Sequence, residues 1–162
     1  MSEGLRTQGT HLYFVNTASG GDDLIKLFCP TGITGINAGA RDQIEDTCLD
    51  NTADKTYVAG LGNPGVVTVP FNFKPSDFSH QVLFDLKESG DVIPWLVLFS
   101  ESDDPPTVGS GGTMVPPATR SGIGFDGYVA EVGIDVATNE IVRGTLVIQR
   151  TGPSILYPYT PA

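Results

Sequence analysis

The side chains able to do chemistry in this chain are few and scattered. Its two cysteines, Cys29 and Cys48, stand at the ends of "CPTGITGINAGARDQIEDTC", its two histidines, His11 and His80, are isolated, and carboxylates adjoin at Asp22-Asp23, Glu45-Asp46 and Asp103-Asp104. Zinc needs thiolate or imidazole ligands at close, repeated spacing, and the chain has no CxxC and no paired His. A cysteine nucleophile needs a base and a nearby cation to lower its pKa; Lys26 and Arg41 are the cations within reach of the loop, and no His accompanies them. Adjacent carboxylates in turn-forming sequence are normally solvated, and no Lys, His or Tyr is spaced to give one of these pairs acid–base work. "SESDDPPT" offers oxygens to calcium without the spacing of an EF-hand loop. "TGITGINAGAR" lacks the Lys and hydroxyl of a phosphate-binding loop and the GxGxxG of a dinucleotide fold. No catalytic, metal or cofactor site is predicted, and no enzyme. The cysteines read as reduced, buried thiols and the histidines as surface or half-buried rings.

Composition narrows the classes further. The 162 residues suit one domain, and 20 Gly with 12 Pro beside only 17% charged residues favour strands and turns over a helical bundle. A formal charge of -10 repels a phosphate backbone, because non-specific nucleic-acid binding depends on clustered Lys and Arg. "MSEGLRTQGT" has no apolar core of a signal peptide, and no run of residues is apolar enough for a spanning helix. The expectation is a soluble, unsecreted protein without a membrane partner.

The elements that must position these residues read as mainly β. "HLYFVNTA" (11–18) and "LIKLFC" (24–29) predict a hairpin turning at "GGDD". The stretch from Pro30 to about Gly65 has no sustained period and reads as a long loop, a length that in a compact domain usually signals function. "VVTVPFNF" alternates, with Val67, Val69, Phe71 and Phe73 on one face, and Pro70 marks an edge. The period then changes: Ser76 or Asp77 can cap a helix with Phe78, Val82, Leu83 and Leu86 on its apolar side and Gly90 as its stop. "VIPWLVLFS" is a buried strand carrying Trp95, 101–120 an exposed, mobile loop, and 151–162 a Pro- and Tyr-containing arm. Between these, "GFDGYVAEVGIDVA" and "EIVRGTLVIQR" predict a long hairpin. Its buried face would hold Tyr128, Ala130, Val132, Ile134, Val136, Val142, Leu146 and Ile148, and its wet face Glu131, Asp135, Arg143, Thr145 and Gln149.

With chemistry thinly represented, the opening stretch is the most identifying text in the chain. "LFCPTGITGINAGARDQIEDTCLDNTADKTYVAGLGNPGVVTVPF", followed by a helix between strands and a terminal hairpin ending in "VIQRTG", resembles the major tail tube proteins of long-tailed, siphovirus-type bacteriophages. The resemblance spans roughly residues 24–152. It implies a β-sandwich or short barrel with one flanking helix and a long assembly loop. It also implies a structural virion protein whose six copies close a ring, with rings stacked into the tail tube through which DNA passes into the host without being bound. Partners would be further copies, the tape measure, tail tip and terminator proteins; assembly would take place in the host cytoplasm.

For the residues, the resemblance implies that the long loop reaches a neighbouring subunit. Gly32, Gly35 and Gly39 would permit close packing there, and Arg41, Asp42, Glu45 and Asp46 would set register. Glu131 and Asp135 would face an acidic lumen, from which Arg143 on the same face departs. Two rival classes remain open on sequence: a β-sandwich binding or decoration module using Trp95, Tyr157 and Tyr159, and a small hydrolase built on the acidic loops.

Overall fold

The computed structural model describes residues 4–16, 23–36, 40–109 and 112–159. Strands β1 (His11–Asn16) and β2 (Asp23–Lys26) pair antiparallel, with Tyr13 opposite Lys26; their turn lies outside the described residues. β1 is buried almost throughout because both faces are covered. Leu12 and Phe14 enter the main core, while Tyr13 meets Leu96 and Leu98 on the other side of the sheet.

β5 (Val66–Asn72) alternates as its sequence requires, burying Val67, Val69 and Phe71. Helix α1 (Phe78–Ser89) follows. Asp77 is its N-cap and accepts from the Ser79 N–H at 2.9 Å, a contact that stabilises a helix start by about 1 kcal/mol. Burial pulls the Asp77 carboxyl upward, but the Ser79 hydroxyl and N–H outweigh it and hold the group below its ordinary value. Gly90 ends the helix at φ 70, its N–H returned to the Leu86 carbonyl. Val82, Leu83 and Leu86 are buried as the period predicts, whereas Phe78 is 59% exposed. The inner positions of that first turn go to Ser79 and His80, and His80 is fully buried rather than superficial. Its Nδ1 accepts from the Lys74 N–H at 3.0 Å and its Nε2 donates to the Phe28 carbonyl at 2.9 Å, tying the helix to the segment after β2.

β6 (Ile93–Leu98), β9 (Gly122–Asp135) and β10 (Arg143–Tyr157) complete a six-stranded antiparallel sheet in the order β2-β1-β6-β9-β10-β5. Two small sheets are not part of its ladder: β3 (Ala40–Glu45) with β4 (Tyr57–Asn63), and β7 (Thr107–Val108) with β8 (Met114–Val115).

The main sheet is not closed by a continuous ladder, yet its edges approach each other. The Leu27 N–H donates to Leu12 of β1 at 2.9 Å, while the carbonyl of Cys29 accepts from Asn72 of β5 at 3.1 Å. Two residues of chain span at most about 7 Å. The sheet must therefore curl until one crossing segment joins both edges, with Thr31 and Thr34 bonded along β5. Curl and helix together enclose the core of Phe14, Phe71, Leu83, Trp95, Leu146 and Ile148. The expected sandwich or short barrel is thus a mainly β, one-helix fold with an incompletely closed sheet.

The long hairpin forms, with one reversal of facing. Opposite β10, Val147 pairs with Glu131 but Ile148 pairs with Val129, so Ala130 is an extra residue. That bulge shifts the alternation by one. Phe125 and Val129 face inward before it, Val132 packs on the core after it, and Tyr128 and Ala130 turn to the outside instead of the core. Val136 is 79% exposed, beyond the end of the strand. The C-terminal stretch is also not a separate arm at its start. After an irregularity containing Gly152 and Pro153, β10 resumes pairing with β9 at Ile155↔Gly124 and continues to Tyr157.

Candidate interaction surfaces

The segment expected to be a long loop contains the β3–β4 hairpin, with Ile44 opposite Val58 and a register shift between Arg41 and Gln43. It springs from the sheet end at which β5 begins. All six β3 residues are exposed, as are Val58 and Leu61 of β4, so both faces of this ribbon meet solvent. The ribbon has no hydrophobic alternation because neither face packs on the core, which is why periodicity did not disclose it. Arg41, Asp42, Glu45 and Asp46 lie together along it. Arg41 donates to the Gly60 carbonyl at 3.3 Å, and Glu45 sits 4.0 Å from Lys55.

The glycines expected to act with these charges are placed elsewhere. Gly32 and Gly35 lie where the chain runs along β5, and Gly39 lies outside the described residues. Gly35 has φ +88, and a Cβ there would stand 2.1 Å from the Val66 carbonyl oxygen. Its small size is required within the chain, for docking this segment on β5.

A second surface is the outer face of β9, β10 and β5. Register aligns Tyr128 with Gln149, Glu131 with Val147, and Asp135 with Arg143. Glu131, Asp135 and Asp126 make the β9 row acidic, and Arg143 is the register partner of Asp135 without forming an ion pair with it. The rest of that face, towards β1, is occupied by the β7–β8 sheet and Tyr157, which pack on Tyr13, Leu96 and Leu98.

The 101–120 segment is tied down by Arg120, which is 1% exposed. Its Nε donates to the Phe99 carbonyl at 2.9 Å, and its terminal nitrogens donate to Gly9 and Asp104 at 3.0 Å and to Leu98 at 3.1 Å. His11 Nδ1 lies 3.4 Å from the same guanidinium, so the ring must be neutral to accept from it. Burial, then Lys26 and Arg120, hold the His11 pKa below its ordinary value against an upward pull from Asp103. Hydrogen bonds from Thr119 and Ser102 likewise lower Asp104.

The chemistry-bearing residues do not converge. Cys29 and Cys48 are free and exposed rather than buried, and no group of three or more His, Cys, Asp or Glu suited to a metal occurs among the described residues. Trp95 is 1% exposed and donates to the Gly127 carbonyl at 3.0 Å, so it offers no platform to a ligand. Among the described residues no helix is long and apolar enough to cross a membrane.

The fold is that of a mainly β subunit with a curled sheet, a free-standing charged ribbon and an acidic outer face. The chain belongs to the phage tail tube family of that class: residues 3–160 match the family described as phage tail tube, TTP, lambda-like. It is 36% identical over 158 residues to Structural protein 3 of Pseudomonas phage PAJU2, covering 95% of this chain and 94% of that protein. Its fold is similar to a chain of the anti-feeding prophage baseplate, with a TM-score of 0.69, 8% identity, and 99% of this chain and 100% of that one covered. It is similar also to the SPP1 tail tube, at a TM-score of 0.63 and 10% identity over 95% of this chain and 79% of that one. The protein is thus a structural component of the phage tail, and so of the virion.

Proposed function

We propose that residues 1–162 act as one non-catalytic domain that closes hexameric rings, and that the rings stack into a hollow tube conducting DNA. The β3–β4 ribbon carries this reading. An isolated two-stranded hairpin is marginally stable in water, and this one exposes Ile44, Val58, Tyr57 and Leu61 with no core of its own. A neighbouring copy supplies the missing cover, with Arg41, Asp42, Glu45 and Asp46 setting register and the small Gly32 and Gly35 allowing close approach where the chain runs along β5. Glu131 and Asp135 face the lumen, where like charge lets DNA slide without binding. The six-fold symmetrisation of the anti-feeding prophage baseplate supports a ring of six by analogy of fold. Tape measure, tail tip and terminator proteins are the expected tail partners, and assembly is assigned to the host cytoplasm before packaging into the virion.

The test is a variant in which residues 40–63 are replaced by a short Gly-Ser linker. The expected result is a folded monomer that forms no tubes when concentrated. Tubes of normal appearance from that variant contradict the role given to the ribbon.

A further inference from the structure

The two ends of the curled sheet differ in a way that suits head-to-tail contact. One end is set by the starts of β1 and β9 and the finish of β6, since His11 pairs with Leu98 and Leu98 with Gly122. There a groove of about 690 Å³ opens between the N-terminal segment and the 30–36 run, lined by Leu5, Ile33, Ile36, Val97 and Phe99. Val97 belongs to the main core and Phe99 packs against it, so the groove leads into the helix-bearing side of the sheet. Its one charged lining residue is Arg6, which has no acidic partner within ion-pair distance among the described residues.

The opposite end is the β9–β10 turn. Asp135 pairs with Arg143 and Arg143 with Asn72, so the turn projects past the far ends of β9 and β5. Its apolar residues are left in solvent: Val136 is 79% exposed and Ile141 64%. Ile134, just before it, is the register partner of the buried Gly144, which places it on the same side of the sheet as the groove. Glu140 is the only charged residue between Val136 and Val142.

We propose that the β9–β10 turn of one copy seats Val136 and Ile141 in the Leu5–Phe99 groove of a second copy in the next ring, with Glu140 beside Arg6. A protrusion and a recess at opposite ends of one chain make a heterologous contact, which propagates along an axis instead of closing on itself. Polarity and charge match: an apolar knob meets an apolar recess, and a single acid meets a single base. The β3–β4 ribbon springs from the groove end, so it does not supply the protrusion at the other end. The contact rests on the tube reading above and specifies how rings stack in it.

The test uses the full chain in two forms. Val136→Asp with Ile141→Asp is expected to leave thermal unfolding and ring formation unchanged, because both positions are exposed, while raising the concentration needed for tubes at least tenfold. In a Cys29→Ser, Cys48→Ser background, Ile141→Cys with Thr31→Cys is expected to give disulfide-linked ladders longer than six subunits in tubes, and none with either cysteine alone. Wild-type tubes that give no such ladder, or tubes from the double aspartate variant at wild-type concentration, overturn the contact and leave the tube reading standing. Ladders from Leu61→Cys with Thr31→Cys in its place assign the groove to the ribbon and also overturn it. Failure of the wild-type chain to form tubes at all refutes the tube reading, and the contact with it.

Discussion

Replacing two exposed apolar residues of the β3–β4 ribbon, Ile44→Asp with Leu61→Asp, separates folding from assembly. In the single chain Leu61 is 86% exposed and Ile44 55% exposed, so neither contributes much to the core. Exposed substitutions of this kind change stability by about 0.5 kcal/mol or less. Full burial of a Leu or Ile side chain is worth about 1.5–3 kcal/mol, so nearly all of that remains to be gained at Leu61 and about half at Ile44. Together the pair stands to lose about 2–4 kcal/mol of contact free energy per subunit when replaced by carboxylates, before any cost of desolvating them. At about 1.4 kcal/mol per tenfold, the concentration at which tubes appear rises roughly 30- to 1,000-fold. Sedimentation across a concentration series measures that threshold, with circular dichroism following the melting temperature alongside. Assembly at the wild-type concentration refutes the burial of this ribbon by a neighbour. A large fall in melting temperature refutes the argument differently, by showing that these side chains serve the monomer.

Gly35→Ala acts on the fold itself. The left-handed backbone costs an L-residue about 1–2 kcal/mol, and the collision with the Val66 carbonyl adds to it, so chemical denaturation should show a loss of at least about 2 kcal/mol without any selective effect on assembly. Arg120→Met leaves the carbonyls of Phe99, Gly9, Leu98 and Asp104 without their donor; a loss of roughly 3–5 kcal/mol is expected, with protease sensitivity rising first in 101–120 and the N-terminal segment. His11 gives a pH dependence of definite sign. Its folded pKa is lowered, so the unfolded chain binds the proton more readily, and stability is fully present above the ordinary histidine value of about 6.5 and lost as pH falls towards the lowered folded value. Urea midpoints measured between neutral and mildly acid pH should decline in the wild type and flatten in His11→Gln; an equal slope in both removes His11 as the cause.

The parts of the fold that bury one face were legible in the sequence, because burial writes a period. β5, α1 with its Asp77 and Gly90 caps and the β9–β10 pair announce themselves this way, whereas β6, covered on both faces, reads as a continuous apolar run. The β3–β4 ribbon left no such trace, since "ARDQIE" and "YVAGLGN" face water on both sides, and only the length of the aperiodic segment and the resemblance singled the region out. The facing of Tyr128 and Ala130 was misread because a bulge at Ala130 looks, in sequence, like uninterrupted alternation. Gly35 stands out in sequence as a small residue, but only its φ and its distance to Val66 reveal a requirement for glycine within the chain. Arg120 carried no signal at all. A lone Arg between "PPAT" and "SGIG" reads as a solvated loop charge, and its burial follows from carbonyls contributed by residues distant in sequence.

Electron microscopy of the concentrated, purified chain tests the central claim most directly. Hollow tubes of stacked six-fold rings are expected, with the β9–β10–β5 face and its Glu131 and Asp135 lining the channel. Particles that stay monomeric at every concentration, with or without a tail-tip complex to nucleate them, would contradict that claim.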